Sequence, residues 1–119
     1  MTKTFRIAAA AAALAIPTTA AVAAINAPVT AEQKMAQIEE SYIIKAPIAG
    51  IQNSHWYDYR TNINETKKEL ASDLRRSSDL EDTRDAYGEY AHELKHERVT
   101  YVKYMEKKGY SVPRVYIEN

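Results

Sequence analysis

Residues 80–108 read LEDTRDAYGEYAHELKHERVTYVKYMEKK, and this stretch decides the fold. Apolar and tyrosine side chains recur at three, four or seven positions, which places them on one face of a helix. Ser78-Asp79-Leu80-Glu81 predicts a capping box at its start, and Gly109 is a typical left-handed stop. We therefore predict one helix to about Lys108, whose apolar face contains Leu80, Thr83, Tyr87, Tyr90, Leu94, Tyr101, Tyr104 and Met105.

The preceding segment repeats this pattern. Ser54 is a candidate cap for a helix that runs to about Arg76, and its apolar residues also share one face. Ser77 and Ser78 interrupt the pattern, so the two helices are predicted to form an antiparallel, coiled-coil-like hairpin. A single bent helix through the two serines is the alternative. The apolar face consists of Trp56, Tyr59, Ile63, Leu70 and Leu74.

A shorter helix is predicted ahead of the hairpin. Thr30-Ala31-Glu32-Gln33 is a second capping box, and Pro47 ends the helical pattern after about Ile44. Its apolar positions are Met35, Ile38 and Tyr42, with Ile43 as a further candidate, and this spacing predicts a helix face that packs inward. The fold class is therefore all-α, with a short N-terminal helix followed by a long helical hairpin over residues 30–110. Residues 111–119, which contain Pro113, are predicted to form an extended C-terminal tail.

The first residues predict export. A basic start with Lys3 and Arg6 precedes an apolar run from Ile7 to Ile16, and the small-residue triplet Ala21-Val22-Ala23 follows. This order is typical of a secretory signal peptide, which we assign to residues 1–23, with residues 24–29 as a flexible leader. An uncleaved membrane anchor is the alternative, because the run approaches the length of a short spanning helix. No later segment is apolar enough to span a membrane.

Composition excludes several classes of function. The chain has 119 residues, no cysteine, and 16 basic against 16 acidic residues. A neutral chain lacks the electrostatic footprint of a nucleic-acid-binding protein. The absence of cysteine excludes a disulfide scaffold and thiolate chemistry. Removal of the signal peptide leaves 14 basic and 16 acidic residues and a net charge of −2. We expect a periplasmic or secreted protein.

One motif points to metal chemistry. His92-Glu93-Leu94-Lys95-His96 resembles the H-E-x-x-H signature of zincin metallopeptidases, and the resemblance covers five residues. It implies that His92 and His96 bind zinc and that Glu93 polarises a zinc-bound water molecule. Three features favour an incidental match. The neighbouring residues are charged, no histidine follows the motif, and the helical phase directs both histidines to solvent. A surface metal site that includes the acidic row Asp85, Glu89, Glu93 and Glu97 is a further alternative.

Nine tyrosines, all in the mature part, are the more unusual feature. Tyrosine joins an apolar body to a polar tip and therefore suits thin cores and interfaces. A small chain also buries a limited share of its surface, which favours a homodimer or another homo-oligomer. The candidate interface residues are Trp56, Tyr59, Tyr87, Tyr90, Tyr101 and Tyr104.

These features together predict a small exported helical protein with a non-enzymatic binding, structural or chaperone-like role. Envelope proteins or peptides are the expected partners, and no cofactor is expected outside the zinc alternative. Small periplasmic helical-hairpin chaperones share this size and architecture, which is an analogy at the level of the fold.

Overall fold

The computed structural model describes residues 28–117, and helices dominate that range. The helices are α1 (Ala31–Ser41), α2 (Ser54–Arg76), α3 (Leu80–Lys107) and the single turn α4 (Arg114–Ile117). A 3₁₀ turn, Ile48–Gly50, lies between α1 and α2. The predicted all-α class with a long hairpin is confirmed. The predicted signal peptide over 1–23 lies outside the described residues.

α2 and α3 form the hairpin. Contacts between His55 and Tyr104 at one end and between Ser77 and Thr83 at the other define its antiparallel direction. Ser77 has an extended backbone, with φ −64° and ψ 130°, so the bent-helix alternative is wrong. Both helices begin with a cap one residue away from the predicted one. The Asn53 side chain accepts the Trp56 N–H at 3.0 Å, and the Asp79 side chain accepts the Asp82 N–H at 2.8 Å.

α1 runs parallel to α3 and packs along it from Arg84 to Arg98. Glu32 pairs with Arg84 at 2.9 Å, and Glu39 pairs with Arg98 at 2.8 Å. Ala36 is 1% exposed between these two pairs. Short side chains let two helices approach closely, and Gly88 of α3 lies against the Glu32 side chain. Hydrogen bonds from Arg84 hold the pKa of Glu32 below its ordinary value.

Two of the four apolar positions predicted for α1 do not pack inward. Met35 and Ile38 are 55% and 54% exposed, whereas Tyr42 and Ile43 are partly buried. The charged and small side of α1 faces α3 because Arg84 and Arg98 supply ion-pair partners there. α1 also ends at Ser41 rather than near Ile44.

Residues 42–53 carry the chain from α1 to the start of α2. Ala49 and Gly50 adopt left-handed conformations, with φ 56° and φ 71°, and this tight turn brings Asn53 beside Met105. Ile44 and Ile48 are each 3% exposed. This segment therefore closes the core at the end of the hairpin where α3 terminates.

The C-terminal tail differs from the extended segment that the sequence predicts for residues 111–119. Arg114–Ile117 forms one helical turn. Pro113 suits the start of such a turn because it has no N–H to satisfy, and its carbonyl accepts the Tyr116 N–H at 3.1 Å. Gly109 has φ 90° after the end of α3, as its predicted role as a left-handed stop requires.

Candidate functional site

An aromatic cluster fills the space between α2 and α3. The Tyr59 and Tyr101 rings stack with centroids 4.9 Å apart, and the Trp56 ring lies 5.8 Å from that of Tyr101. The Tyr59 hydroxyl accepts the N–H of Ile44 at 2.9 Å, and the Tyr101 hydroxyl accepts the N–H of Ile48 at 3.0 Å. These hydroxyls satisfy buried backbone donors, so the cluster fixes the 42–53 segment onto the hairpin.

The phenols of this region stay neutral over the ordinary pH range. Burial raises the pKa of Tyr59 to about 12 and that of Tyr90 to about 12. Burial also raises the pKa of Tyr101. A phenol with a raised pKa remains a hydrogen-bonding group at neutral pH and supplies no base. The Tyr59 and Tyr101 hydroxyls therefore act as hydrogen-bond acceptors for the 42–53 segment.

The six predicted interface residues divide into two groups. Trp56, Tyr59, Tyr90 and Tyr101 are at most 4% exposed, so they pack inside a single chain. Tyr104 is 46% exposed and stacks on the His55 ring with centroids 4.1 Å apart. Tyr87 is partly buried. Only the last two tyrosines expose enough surface to contact another molecule without a rearrangement of the core.

Arg98 is the one charged residue of the described core, with 1% of its surface exposed. Its guanidinium pairs with Glu39 at 2.8 Å, donates to the Tyr116 carbonyl at 3.0 Å and lies 5.2 Å from the Tyr42 ring centroid. This side chain therefore joins α1, α3 and α4 within one chain, where the partners compensate its desolvation.

The histidine pair lies on the far side of α3 from the core. His92 and His96 are exposed, as the helical phase predicts, and Glu93 is partly buried. Within residues 28–117, no three histidine and carboxylate side chains come together in a way that could hold a metal ion. A catalytic zinc site takes three protein ligands, so the described residues offer no third ligand for this motif.

The acidic row on α3 borders the α2–α3 interface. Glu89 and Glu93 line a narrow cleft together with Glu69 and Asp73 of α2. Glu97 accepts a hydrogen bond from the Asn62 amide at 2.9 Å. Asp73 also pairs with Arg76. These side chains form a solvated polar margin of the hairpin.

Two surface features were missed by sequence reasoning. The first is the outward side of α1, where Met35 and Ile38 form what we call the α1 stripe. Periodicity identified these residues but assigned them to the core. The second is a groove where Lys45 meets Arg60 and Lys67 of α2. Residue 45 is far from residues 60–67 in sequence, so no spacing pattern could have placed them together.

Comparisons with protein-family models, curated proteins and solved structures give no match for this chain. Across residues 28–117, each helix is either too short or too polar to cross a bilayer.

Proposed function

We propose that this chain is an exported, non-enzymatic binding protein whose α1 stripe holds short apolar segments of other polypeptides, in a chaperone-like role. The observation behind this proposal is that Met35 and Ile38 are more than half exposed on a helix that two ion pairs attach to α3. Contiguous exposed apolar residues mark interaction sites, whereas single scattered ones do not, and Met35 and Ile38 are i,i+3 neighbours on one helix. Methionine adds adaptability, because its flexible thioether fits partners of different shapes.

The size of the stripe favours a short, transient partner. α1 has 11 residues. At about 1.5 Å of rise per residue and about 10 Å of helix diameter, its outer side offers roughly 160 Å². A stable protein–protein interface needs about 800 Å² on each partner. The stripe alone is therefore too small for a tight homodimer, and it suits an extended segment of a few residues.

Export supports a role in the cell envelope. The basic, apolar and small-residue order of residues 1–23 is the basis for this part of the proposal, together with the absence of cysteine. Intact-mass measurement of the protein recovered from the periplasm of an expressing bacterium tests it. A mass that begins at Val22 or earlier, or recovery only with the membrane fraction, contradicts a cut after Ala23 or Ala24.

Suppression of client aggregation is the direct test of binding. The purified protein is expected to slow the aggregation of a chemically unfolded client, measured by light scattering. The double variant Met35→Gln and Ile38→Gln removes the apolar surface and is expected to lose this effect. The matched control Lys34→Gln and Glu40→Gln changes two exposed residues of the same helix, leaves the net charge unchanged and keeps the effect. Equal loss in both variants, or no protection by the wild-type protein, contradicts the proposal.

The alternatives give distinct readings in the same preparation. A homodimer gives a concentration-dependent doubling of mass in multi-angle light scattering, and a stripe-mediated dimer dissociates in the Met35→Gln and Ile38→Gln variant. A zinc hydrolase retains one zinc per chain through purification and loses it in His92→Ala. Zinc at one equivalent with peptidase activity would replace the binding proposal.

A further inference from the structure

A groove runs between the segment that follows α1 and one side of α2. It encloses about 200 Å³. Isoleucine and tryptophan side chains form its floor, and three cationic side chains stand around it. We call it the cationic groove, and its defining residues are Ile43, Lys45, Trp56, Arg60, Ile63 and Lys67.

The three cations have no acidic partner in the part of the chain that the structure describes. Across residues 28–117, no carboxylate lies within 4.0 Å of the charged atoms of Lys45, Arg60 or Lys67. The Arg60 guanidinium lies over the Trp56 ring, 5.7 Å from its centroid. This contact orients the guanidinium without neutralising it. The groove therefore concentrates uncompensated positive charge on a mature chain of net charge −2.

The helical phase of α2 explains this separation of charge. At about 100° per residue, Trp56, Arg60 and Lys67 fall within about 40° of one another. The acidic residues Asp58 and Glu65 fall on the opposite side of the same helix. Basic and acidic residues that alternate along the sequence therefore lie on opposite sides of α2.

We propose that the cationic groove binds an acidic segment of a partner polypeptide. Aspartate or glutamate carboxylates of that segment pair with Lys45, Arg60 and Lys67, and an adjacent apolar side chain packs on the half-buried Ile43. Complementary charge selects the acidic residues, and the apolar floor selects a peptide over a simple anion. This surface is separate from the α1 stripe, so the proposal stands apart from the chaperone-like role.

The shape of the groove favours a peptide over a membrane. Trp56 is only 4% exposed, so its ring cannot enter a lipid interface. A concave groove receives an extended chain along its floor, whereas a flat layer of anionic headgroups reaches only its rim. A short extended segment can place its carboxylates on the three cations and an apolar side chain on Ile43 at the same time.

A peptide titration tests the proposal. Trp56 is the only tryptophan of the chain and lines the groove, so its fluorescence reports on binding there, and calorimetry measures the affinity independently. The probe is a capped pentapeptide, DLELD, and its control is the neutral twin NLQLN. We expect the acidic peptide to bind, the twin to bind at least tenfold more weakly, and the affinity to fall as NaCl rises, because salt screens exposed charges.

Single substitutions locate the site. Lys45→Gln, Arg60→Gln and Lys67→Gln are each expected to weaken binding about two- to fivefold, the range for one exposed ion pair. Lys68→Gln is the matched control, because Lys68 is exposed and points about 100° away around α2. Equal affinity for both peptides, or equal loss in Lys67→Gln and Lys68→Gln, overturns the proposal. So does binding of phosphatidylglycerol vesicles or inorganic phosphate without binding of the acidic peptide.

Discussion

Tyr59→Phe isolates one hydrogen bond of the core. The substitution removes the hydroxyl that accepts the N–H of Ile44 at 2.9 Å and leaves the ring stacked on Tyr101. Tyr59 and Ile44 are each 3% exposed, so water cannot take the place of the lost acceptor without opening the core. A buried donor without a partner costs about 1–3 kcal/mol. We expect the free energy of unfolding to fall by that amount.

Urea denaturation followed by circular dichroism measures this change. Each kcal/mol corresponds to roughly 4–8 °C in Tm for a domain of this size, so thermal melting gives a second reading. Tyr104→Phe is the matched control, because Tyr104 is 46% exposed and its hydroxyl has no hydrogen-bond partner among the described residues. Its expected effect is below about 0.5 kcal/mol. If Tyr59→Phe unfolds at the same urea concentration as Tyr104→Phe, the hydroxyl does not hold the 42–53 segment and the reasoning fails.

Three further predictions concern charge, backbone and pH. Arg98→Met removes the partner of Glu39 from a site that is 1% exposed. Urea denaturation is expected to show that the free energy of unfolding falls by about 3 kcal/mol. An unchanged free energy of unfolding would contradict the structural role of the pair. Gly88→Ala is expected to raise the free energy of unfolding by up to about 1 kcal/mol, because alanine has the higher helix propensity. A Cβ at this position meets only the Glu32 side chain, at an ordinary contact distance of 3.6 Å. A lower melting temperature would show that the α1–α3 contact does not tolerate the added methyl group. Burial raises the pKa of Tyr59 from 10.0 to about 12, so the unfolded chain releases a proton that the folded chain keeps, and stability falls as pH rises from 10 to 12. Denaturation across this range should show a smaller fall in Tyr59→Phe, and an identical fall would refute the assignment.

The hairpin could be predicted because the apolar periodicity of both helices extends over many residues. α2 and α3 have 23 and 28 residues, and each repeats its apolar period over several turns. The caps were predicted one residue late for α2 and one residue early for α3, because two adjacent polar residues can each serve as a cap. The choice of Asn53 over Ser54 depends on where the chain enters the helix, which the 42–53 segment decides.

The orientation of α1 could not be predicted from its periodicity. A helical period shows that Met35 and Ile38 share one face, but it does not show which face meets the neighbouring helix. That choice depends on Arg84 and Arg98, which lie more than 40 residues away in the sequence. The cationic groove has the same origin, because Lys45 joins Arg60 and Lys67 only after the segment between α1 and α2 has folded.

The attachment of α1 through charges explains why its apolar side remains available to a partner. If apolar burial held α1 in place, Met35 and Ile38 would be buried in the core. The two ion pairs differ in their surroundings, because the Glu32–Arg84 side chains are 22% and 52% exposed and the Glu39–Arg98 side chains are 14% and 2% exposed. Salt screens the first pair more than the second. High ionic strength should therefore loosen the start of α1 while Arg98 keeps its end in place, and hydrogen exchange at Met35 and Tyr42 in low and high salt measures that difference. Equal acceleration at both positions would show that α1 is attached as a single unit.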